Sequence, residues 1–440
     1  MAMLEDTICA ISSSLAKGAI AIVRMSGPEA VEIIKDIAHL KKDLIPNQII
    51  YGHIYDGDVR VDEVLISYFA AHKSYTCEDL VEINCHGGTY VCRRILNILM
   101  TRGARIAEPG EFTRRAYLNG RINLATAEAV NDMINATNAV QASSAMRGID
   151  GSVERLLHPL IEEMKNVLAM IEINIDYPEY EDERDMTHNE IEPYLLKWNK
   201  QFDEMIDKAE RFKVIKDGLK TVIVGKPNVG KSSLLNALIA EDKAIVTDIA
   251  GTTRDIVEGQ VRLDNITLNL IDTAGIRDSE DRIEQIGIEK SKKALSEAEL
   301  VILLFDGSKE MDDEDKKLLA LTEDKKRLIV YNKKDLNSHD GINISAMHKD
   351  IKVLVDTLNE MYAEDLNLVD EDVLNNERQI ALMRQAQKEI KDAINNLELY
   401  PIDVIYTGIM ESYHHLADIL GIEYHEDLID HMFRNFCLGK

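Results

Sequence analysis

The sequence predicts an α/β domain with a mostly parallel sheet, inserted into an all-α helical domain and preceded by an α+β N-terminal domain. Three observations lead there. Strand-like apolar runs alternate with helical stretches beyond residue 220, as in a parallel sheet covered on both faces. Apolar residues recur at three and four positions on both sides of that region, the period of helices with one buried face. The N-terminal stretch instead mixes short apolar runs with glycine and polar turns. At 440 residues the chain is also too long for a single core, so several domains are expected.

In the first expected domain, 1–118, GAIAIVRMSG (18–27), DEVLISYFA (62–70) and DLVEINCHGG (79–88) read as strands with their turns. VCRRILNILMTRG (91–103) reads as a helix ending at Gly103. The first part of the helical domain, 119–214, shows one apolar face at Leu156, Leu157, Leu160, Ile161, Met164, Leu168 and Ile171. Pro159 inside that run should kink the helix or mark its start, and the acidic PEYEDERD (178–185) reads as a solvated loop. In 215–365 the strands are KTVIVG, ITLNLID, LVILLFDG and RLIVYNK. The helical period returns in 366–440, at Ile380, Met383, Ala386, Ile390, Ile394 and Leu397, and again at Leu428, Ile429, Met432, Phe433 and Phe436.

Composition narrows the function classes. With 51 basic and 78 acidic residues the formal net charge is −27, which disfavours a protein holding phosphate backbones on a basic stripe. The short basic clusters are Arg93–Arg94 and Arg114–Arg115. The opening MAMLEDTICAISSS lacks a basic leader region, so a secretory signal is not expected. Nor is a membrane span, since no apolar run reaches about 18 residues. Cys9, Cys77, Cys85, Cys92 and Cys437 match no zinc spacing, and reduced thiols in a cytoplasmic protein are expected.

Gly225-Lys226-Pro227-Asn228-Val229-Gly230-Lys231-Ser232 fits the G-x4-G-K-[ST] phosphate loop and follows the strand KTVIV directly. Glycines let backbone N–H groups approach phosphate oxygens, Lys231 meets the β/γ charge, and Ser232 offers a hydroxyl to Mg2+. With SLLNALI as a helix after it, the loop predicts a P-loop nucleotide-binding fold. Three further segments follow in order. GTTRD (251–255) offers Thr253 as a second Mg2+ ligand. Asp272-Thr273-Ala274-Gly275 ends the strand ITLNLID, with Asp272 able to hold Mg2+ through water and Gly275 N–H able to sense a γ-phosphate. Asn332-Lys333-Lys334-Asp335 follows RLIVY; the Asp335 carboxylate can accept the donor pair on one edge of guanine, which adenine lacks. Ser345 and Ala346 would close the base pocket.

Hydrolysis needs a group that orients water. The position after D-x-x-G, where Ras-like enzymes carry Gln, holds Ile276, which cannot do so. Glu284, Arg277 and Arg254 are polar residues within or near the switches; each reads equally as a solvated loop charge. Asn228 could ligate a cation beside the phosphates, standing in for an arginine finger, or could simply stabilise the loop turn.

Together with the chain ends these features resemble one family, the MnmE (TrmE) tRNA-modification GTPases. The nucleotide-binding region matches through GKPNVGKSS, IAGTTRD, DTAGIRDSEDRIEQIGIE and NKKD. The N-terminal part matches through DTI (6–8), IVRMSG (22–27), ED-LVE-INCHGG (78–88) and PGEFTRRAYLNGRINLATAEAVNDMI (109–134), and the C-terminus through FCLGK (436–440). The resemblance covers essentially the whole chain.

What the resemblance implies is a set of expectations. Asn228 corresponds to a potassium ligand, with Thr247, Ile249 and Thr252 completing that site, and Ser232 and Thr253 to the Mg2+ ligands. Glu284 orients the attacking water through a bridging water. The GTP contacts extend over Asn228, Val229, Gly230, Lys231, Ser232 and Ser233. They continue through Thr247, Asp248, Ile249, Ala250, Gly251, Thr252 and Thr253, then Asp272, Thr273, Ala274 and Gly275. Asn332, Lys333, Asp335, Ser345 and Ala346 hold the base. The N-terminal domain is folate-binding-like and dimerises, with Arg24, Glu82, Arg121 and Lys440 contacting a tetrahydrofolate derivative (5-formyl or 5,10-methylene). Arginine and lysine suit the folate carboxylates and Glu82 the donor edge of a pterin. Cys437 corresponds to the family's C-terminal cysteine, with a catalytic role. The activity implied is potassium-activated GTP hydrolysis. It is coupled to forming a 5-carboxymethylaminomethyl or aminomethyl group on the wobble uridine of tRNA. A homodimer and an MnmG-type FAD-dependent partner are implied, in a heterotetramer or larger assembly, with tRNA bound mainly through the complex. Leu15-Ala16-Lys17 departs from a Pro-Gly-Arg-type turn of the family, Lys226 falls at a variable position, and Arg121 stands where relatives carry Lys or Arg.

The phosphate loop and NKKD alone also fit a ribosome-assembly or signalling switch. FCLGK, the PGEFTRRAYLNGR block and the lack of a basic RNA-binding appendage argue against it. A folate-dependent enzyme with a regulatory nucleotide domain overlaps the family reading.

Overall fold

A computed structural model describes residues 6–14, 16–176, 188–239, 259–263, 266–271, 295–422, 432, 433, 436 and 439. The chain packs as two compact units, one of Met1–Thr137, Ala145–Lys200 and Ala381–Lys440, the other of Asn138–Ser144 and Gln201–Ile380.

The first unit opens with β1 (Ile8–Ile11), β2 (Ile20–Ser26), α1 (Ala30–Ile37), β3 (Ala38–Leu40), β4 (Ile49–Asp56), β5 (Val59–Phe69), β6 (Leu80–His86), α2 (Thr89–Thr101) and β7 (Arg105–Ile106). The strands form a seven-stranded sheet in the order β3-β4-β5-β6-β2-β1-β7. Strand alternation decides which face is covered. Ala21, Val23 and Met25 of β2 and Val64 and Ile66 of β5 join Ile33, Ile34 and Ile37 of α1 and Ile95, Ile98 and Leu99 of α2 in one core. The opposite face carries Ile20, Ile49 and Leu65 at 69%, 69% and 46% exposure, interspersed with polar residues such as Arg24, Glu82 and Asn84.

The helices continue with α3 (Glu111–Leu118), α4 (Leu124–Asn135), α5 (Ala139–Ile149), α6 (Ser152–Asp176) and α7 (His188–Asp217). The Asn123 side chain accepts the Thr126 N–H at 2.8 Å, satisfying one of the orphan donors that start α4. Of the apolar face read from the sequence, Leu157, Leu160, Ile161, Met164, Leu168 and Ile171 are buried on α6 and Leu156 is half-buried. Pro159 does not mark its start, because the helix begins at Ser152 and runs through the proline to Asp176. The acidic 178–185 segment lies outside the described residues.

Of the short basic cluster Arg114–Arg115, the second member is not available to an outside partner. Arg115 is fully buried. Its Nη1 donates to both Glu78 carboxylate oxygens at 3.1 Å and to the Asp6 carbonyl at 2.9 Å. Its Nη2 donates to Asp6 at 2.7 Å and Glu111 at 3.0 Å. Arg105 completes the cage through Asp6 (2.7 Å) and Glu111 (2.6 Å). Burial pushes the Asp6 and Glu111 carboxyls up, but hydrogen bonds from Arg105 and Arg115 outweigh it and hold both below their ordinary values. A folded pKa below the unfolded one gives stability that is complete above the unfolded value and lost as pH falls through the folded value. Arg115→Lys keeps the charge but loses the planar fork, and is expected to cost about 2 kcal/mol of stability at neutral pH. Urea unfolding at pH 7 and pH 4 checks this: the wild type should weaken on acidification more than the variant, and equal pH slopes would count against the cage.

The second unit contains β8 (Leu219–Val224), α8 (Lys231–Ile239), β9 (Gly259–Arg262), β10 (Thr267–Leu270), β11 (Leu300–Asp306), α9 (Asp313–Leu321), β12 (Arg327–Asn332), β13 (Ile342–Asn343) and α10 (Lys352–Glu360). The sheet order is β13-β12-β11-β8-β10-β9, parallel throughout except for the β9–β10 edge pair. Leu300, Ile302 and Leu304 of β11 face one core and Val301 another, so both faces of this strand are covered and its run is continuously apolar. The last helices are α11 (Glu377–Asn396) and α12 (Ile402–Leu420), and the Ser412 hydroxyl of α12 donates to the Ala386 carbonyl of α11 at 2.9 Å.

Cys9, Cys77, Cys85 and Cys92 are free thiols, and burial pushes those of Cys9 and Cys85 up to about 12, which leaves them inert as nucleophiles. Among the described residues no helix is long and apolar enough to cross a membrane.

Candidate nucleotide and N-terminal sites

The parallel strands β8, β11 and β12 deliver their carboxyl ends to one edge of the sheet, where doubly wound folds bind ligands. β8 feeds the loop 225–230, and α8 begins at Lys231. Two glycines are forced there. A Cβ on Gly225 would collide with the Leu304 carbonyl oxygen, and one on Gly230 (φ +101°) with the Asn332 carboxamide. The result is a backbone cradle at a helix N-terminus, where unpaired N–H groups and the helix dipole favour an anion. Lys231 Nζ donates to the carbonyls of Gly225 and Lys226, both at 2.8 Å, and burial lowers its pKa. An anionic phosphate is the partner that this desolvated ammonium fits. Ser232 and Ser233 sit exposed on the first turn of α8.

Asn332 is buried and bridges two segments. Its Nδ2 donates to the Val229 carbonyl at 2.8 Å, and its Oδ1 accepts the Ala346 N–H at 2.9 Å. One side chain thus ties the phosphate loop to the segment that would close over the base. Ser345 Oγ donates to Asp335 Oδ1 at 2.6 Å; that bond, foremost, holds the Asp335 carboxyl below its ordinary value. Asp335 is exposed. Lys333, in the left-handed region at φ +66°, donates from Nζ to Asp306 Oδ2 at 2.6 Å. Burial raises the Asp306 carboxyl, but Lys333 and Ser308 hold it at about 2. The sequence reading missed Asp306; its signal is the polar residue closing LVILLFD, placed opposite Asn332 by the β11–β12 register.

Asn228, at φ +64°, is exposed on the phosphate loop. Thr247, Asp248, Ile249, Ala250, Gly251, Thr252, Thr253 and Arg254 lie outside the described residues. So do Asp272, Thr273, Ala274, Gly275, Ile276, Arg277, Glu284, Cys437 and Lys440.

In the first unit, the register of β2 against β6 sets Arg24 opposite Glu82. Arg24 donates to Glu82 Oε1 from Nε (3.0 Å) and Nη2 (2.7 Å), from Nη1 to the Gly439 carbonyl at 3.3 Å, and lies over the Phe112 ring. Ser12 Oγ holds the same Gly439 carbonyl at 2.9 Å. Arg121 lies over the Tyr75 ring, whose hydroxyl is 2.9 Å from Thr113 Oγ1. Arg24 and Glu82 are therefore bound to each other, and the sequence reading missed the aromatic floor of Phe112 and Tyr75. A flat heterocycle with donor edges and carboxylates fits this mix of aromatic, acidic and guanidinium groups.

Comparisons with known proteins place the chain in a family. The family described as GTP-binding protein TrmE N-terminus matches residues 7–121, and the MnmE helical domain matches residues 124–437. The chain is 44% identical over 448 residues to the tRNA modification GTPase MnmE of Lactococcus lactis subsp. cremoris (strain MG1363), covering 99% of this chain and 98% of that protein. It is 43% identical over 451 residues to the protein of that name from Streptococcus pyogenes serotype M4 (strain MGAS10750), with the same coverage. An α/β P-loop domain inserted in a helical domain, after an α+β N-terminal domain, is the architecture of a member of the MnmE family of tRNA modification GTPases, and the chain belongs to that family.

Proposed function

We propose that the chain is a potassium-activated GTP hydrolase that acts with an MnmG-type FAD-dependent partner on the wobble uridine of tRNA. The product is a 5-carboxymethylaminomethyl or aminomethyl group built on a one-carbon unit from tetrahydrofolate. The observation that carries the reading is the Asn332 bridge, which couples a phosphate cradle to a base pocket edged by Asp335.

In this reading the backbone of 225–230 and Lys231 hold the phosphates, and Asp335 selects guanine. Ser232 and Thr253 would hold Mg2+; Asn228, Thr247, Ile249 and Thr252 would hold K+. The two cations supply positive charge to the phosphoryl oxygens as charge shifts in the transition state. Glu284 would orient the water that attacks. Arg24, Glu82, Arg121 and Lys440 would hold the folate, with the Arg24–Glu82 pair opening to receive it, and Cys437 is retained as a catalytic candidate. The exposed apolar side chains of Ile20, Ile49 and Leu65 support a homodimer formed through the N-terminal domain. The net charge of −27 supports tRNA binding chiefly on the partner, in the cytoplasm where tRNA is modified.

The test is reconstitution. The full-length protein, an MnmG-type partner, GTP, potassium, 5,10-methylene-tetrahydrofolate, a nitrogen donor and unmodified tRNA are incubated, and the tRNA nucleosides are analysed by mass spectrometry. The 5-substituted uridine is expected with GTP and absent with a non-hydrolysable analogue. Unmodified uridine in the complete mixture, despite GTP turnover, would reduce the chain to a nucleotide switch.

A further inference from the structure

Lys226 follows the first glycine of the phosphate loop, and its own carbonyl accepts from Lys231 Nζ at 2.8 Å. Its backbone is therefore part of the cradle. A lysine rooted there, with an ammonium on a flexible four-carbon stem, is able to turn towards bound phosphates. It is turned elsewhere. Nζ donates to Asp312 Oδ2 at 2.5 Å and pairs with Asp315 Oδ2 at 2.8 Å.

The two carboxylates are held rigidly. Asp312 is the N-cap of α9, accepting the N–H groups of Glu314 (3.0 Å) and Asp315 (3.1 Å), while Asp315 accepts the Asp312 N–H at 3.2 Å. This reciprocal capping box fixes both side chains at the helix start. Asp315 is 5% exposed and its Oδ1 has no hydrogen-bond partner among the described residues, so a buried charge depends on Lys226. Two acids against one base leave a net negative charge beside a cradle built for anions.

We propose that Asp312 and Asp315 withhold the Lys226 ammonium from the nucleotide phosphates and so keep nucleotide release fast, making this triad a determinant of turnover. The inference rests on the nucleotide reading above. It predicts opposite signs for the two sides of the pair, which a merely structural latch does not: breaking a latch from either side loosens the loop and speeds release.

The experiment is stopped-flow dissociation of a fluorescent GDP analogue from the full-length protein. Asp312→Asn combined with Asp315→Asn keeps the cap, since Asn caps as well as Asp, and frees the lysine. Release is expected to slow about fivefold, and Lys226→Gln to speed it by a similar factor, both effects shrinking in high salt. Adding Lys226→Gln to the double variant should abolish the slowing. If the double variant does not fold, Asp312→Asn alone, at the exposed carboxylate of the pair, carries the test: slower release supports the inference and faster release overturns it. Acceleration by both substitutions, or no change in either while the wild type binds GDP, overturns the inference. Failure of the wild type to bind GDP at all overturns the nucleotide reading, and this inference with it.

Discussion

Exchanging sodium for potassium is expected to raise the steady-state GTPase rate of the intact protein about a hundredfold or more, and Asn228→Ala to abolish the response. The magnitude follows from what positive charge at the transferring phosphoryl group is worth when an arginine supplies it, roughly 10³–10⁵ in rate. No glutamine follows D-x-x-G here, since Ile276 holds that place, so water positioning and charge compensation must come from elsewhere. Asn228 is well placed to help. It sits exposed on the loop between Gly225 and Lys231, in a left-handed conformation (φ +64°) that asparagine tolerates better than most residues. Alanine there would add backbone strain of about 1 kcal/mol, confounding a simple loss of rate. Asn228→Gly separates the two, because it removes the side-chain carbonyl without the strain. Loss of potassium stimulation in both variants, with GDP affinity in the glycine variant near wild type, supports cation binding. Equal rates in the two salts would remove the mechanism and bring Arg254 and Arg277 forward as catalytic candidates.

Motif order made the P-loop fold legible, because a phosphate loop and NKKD constrain backbone geometry as well as chemistry. Gly225 and Gly230 are required by close backbone and carboxamide approach, and such requirements leave residue types in a sequence. Pairings between distant positions leave none. Arg115 reads as half of a short basic cluster, yet it pairs, fully buried itself, with Asp6, Glu78 and Glu111. Only the fold brings positions so far apart in the chain together. Arg24 and Glu82 were read as separate ligand contacts, one for carboxylates and one for a pterin edge. Antiparallel register makes them direct cross-strand neighbours, bound to each other as an ion pair. Asp306 shows in the sequence only as a polar residue closing an apolar strand, while its contact with Lys333 comes from the adjacent strand. Of the two outcomes expected at Pro159, a helix start is excluded, because α6 runs through the proline with buried residues on both sides of it.

Asp335→Asn is expected to weaken GTP binding about a thousandfold while leaving the fold intact, and to let xanthosine triphosphate bind in its place. Guanine presents a ring N–H and an exocyclic amine side by side, and a carboxylate accepts both. An asparagine amide sets a donor against one of them, so the variant loses a charge-assisted bond and gains a donor–donor clash. Xanthine carries a carbonyl where guanine has the amine, and that carbonyl accepts from the new amide. The surroundings of Asp335 keep this a test of recognition. The residue is exposed, its carboxyl is held below the ordinary range chiefly by Ser345, and it therefore stays ionised throughout the neutral range. Asn332, which ties the phosphate loop to Ala346, does not depend on it. Calorimetric titration of the variant with both triphosphates gives the answer. A loss for GTP below about tenfold, or a loss unmatched by any gain for xanthosine triphosphate, would mean that the base edge is read elsewhere. The guanine assignment at this strand end would then have to be abandoned, even with the phosphate cradle intact.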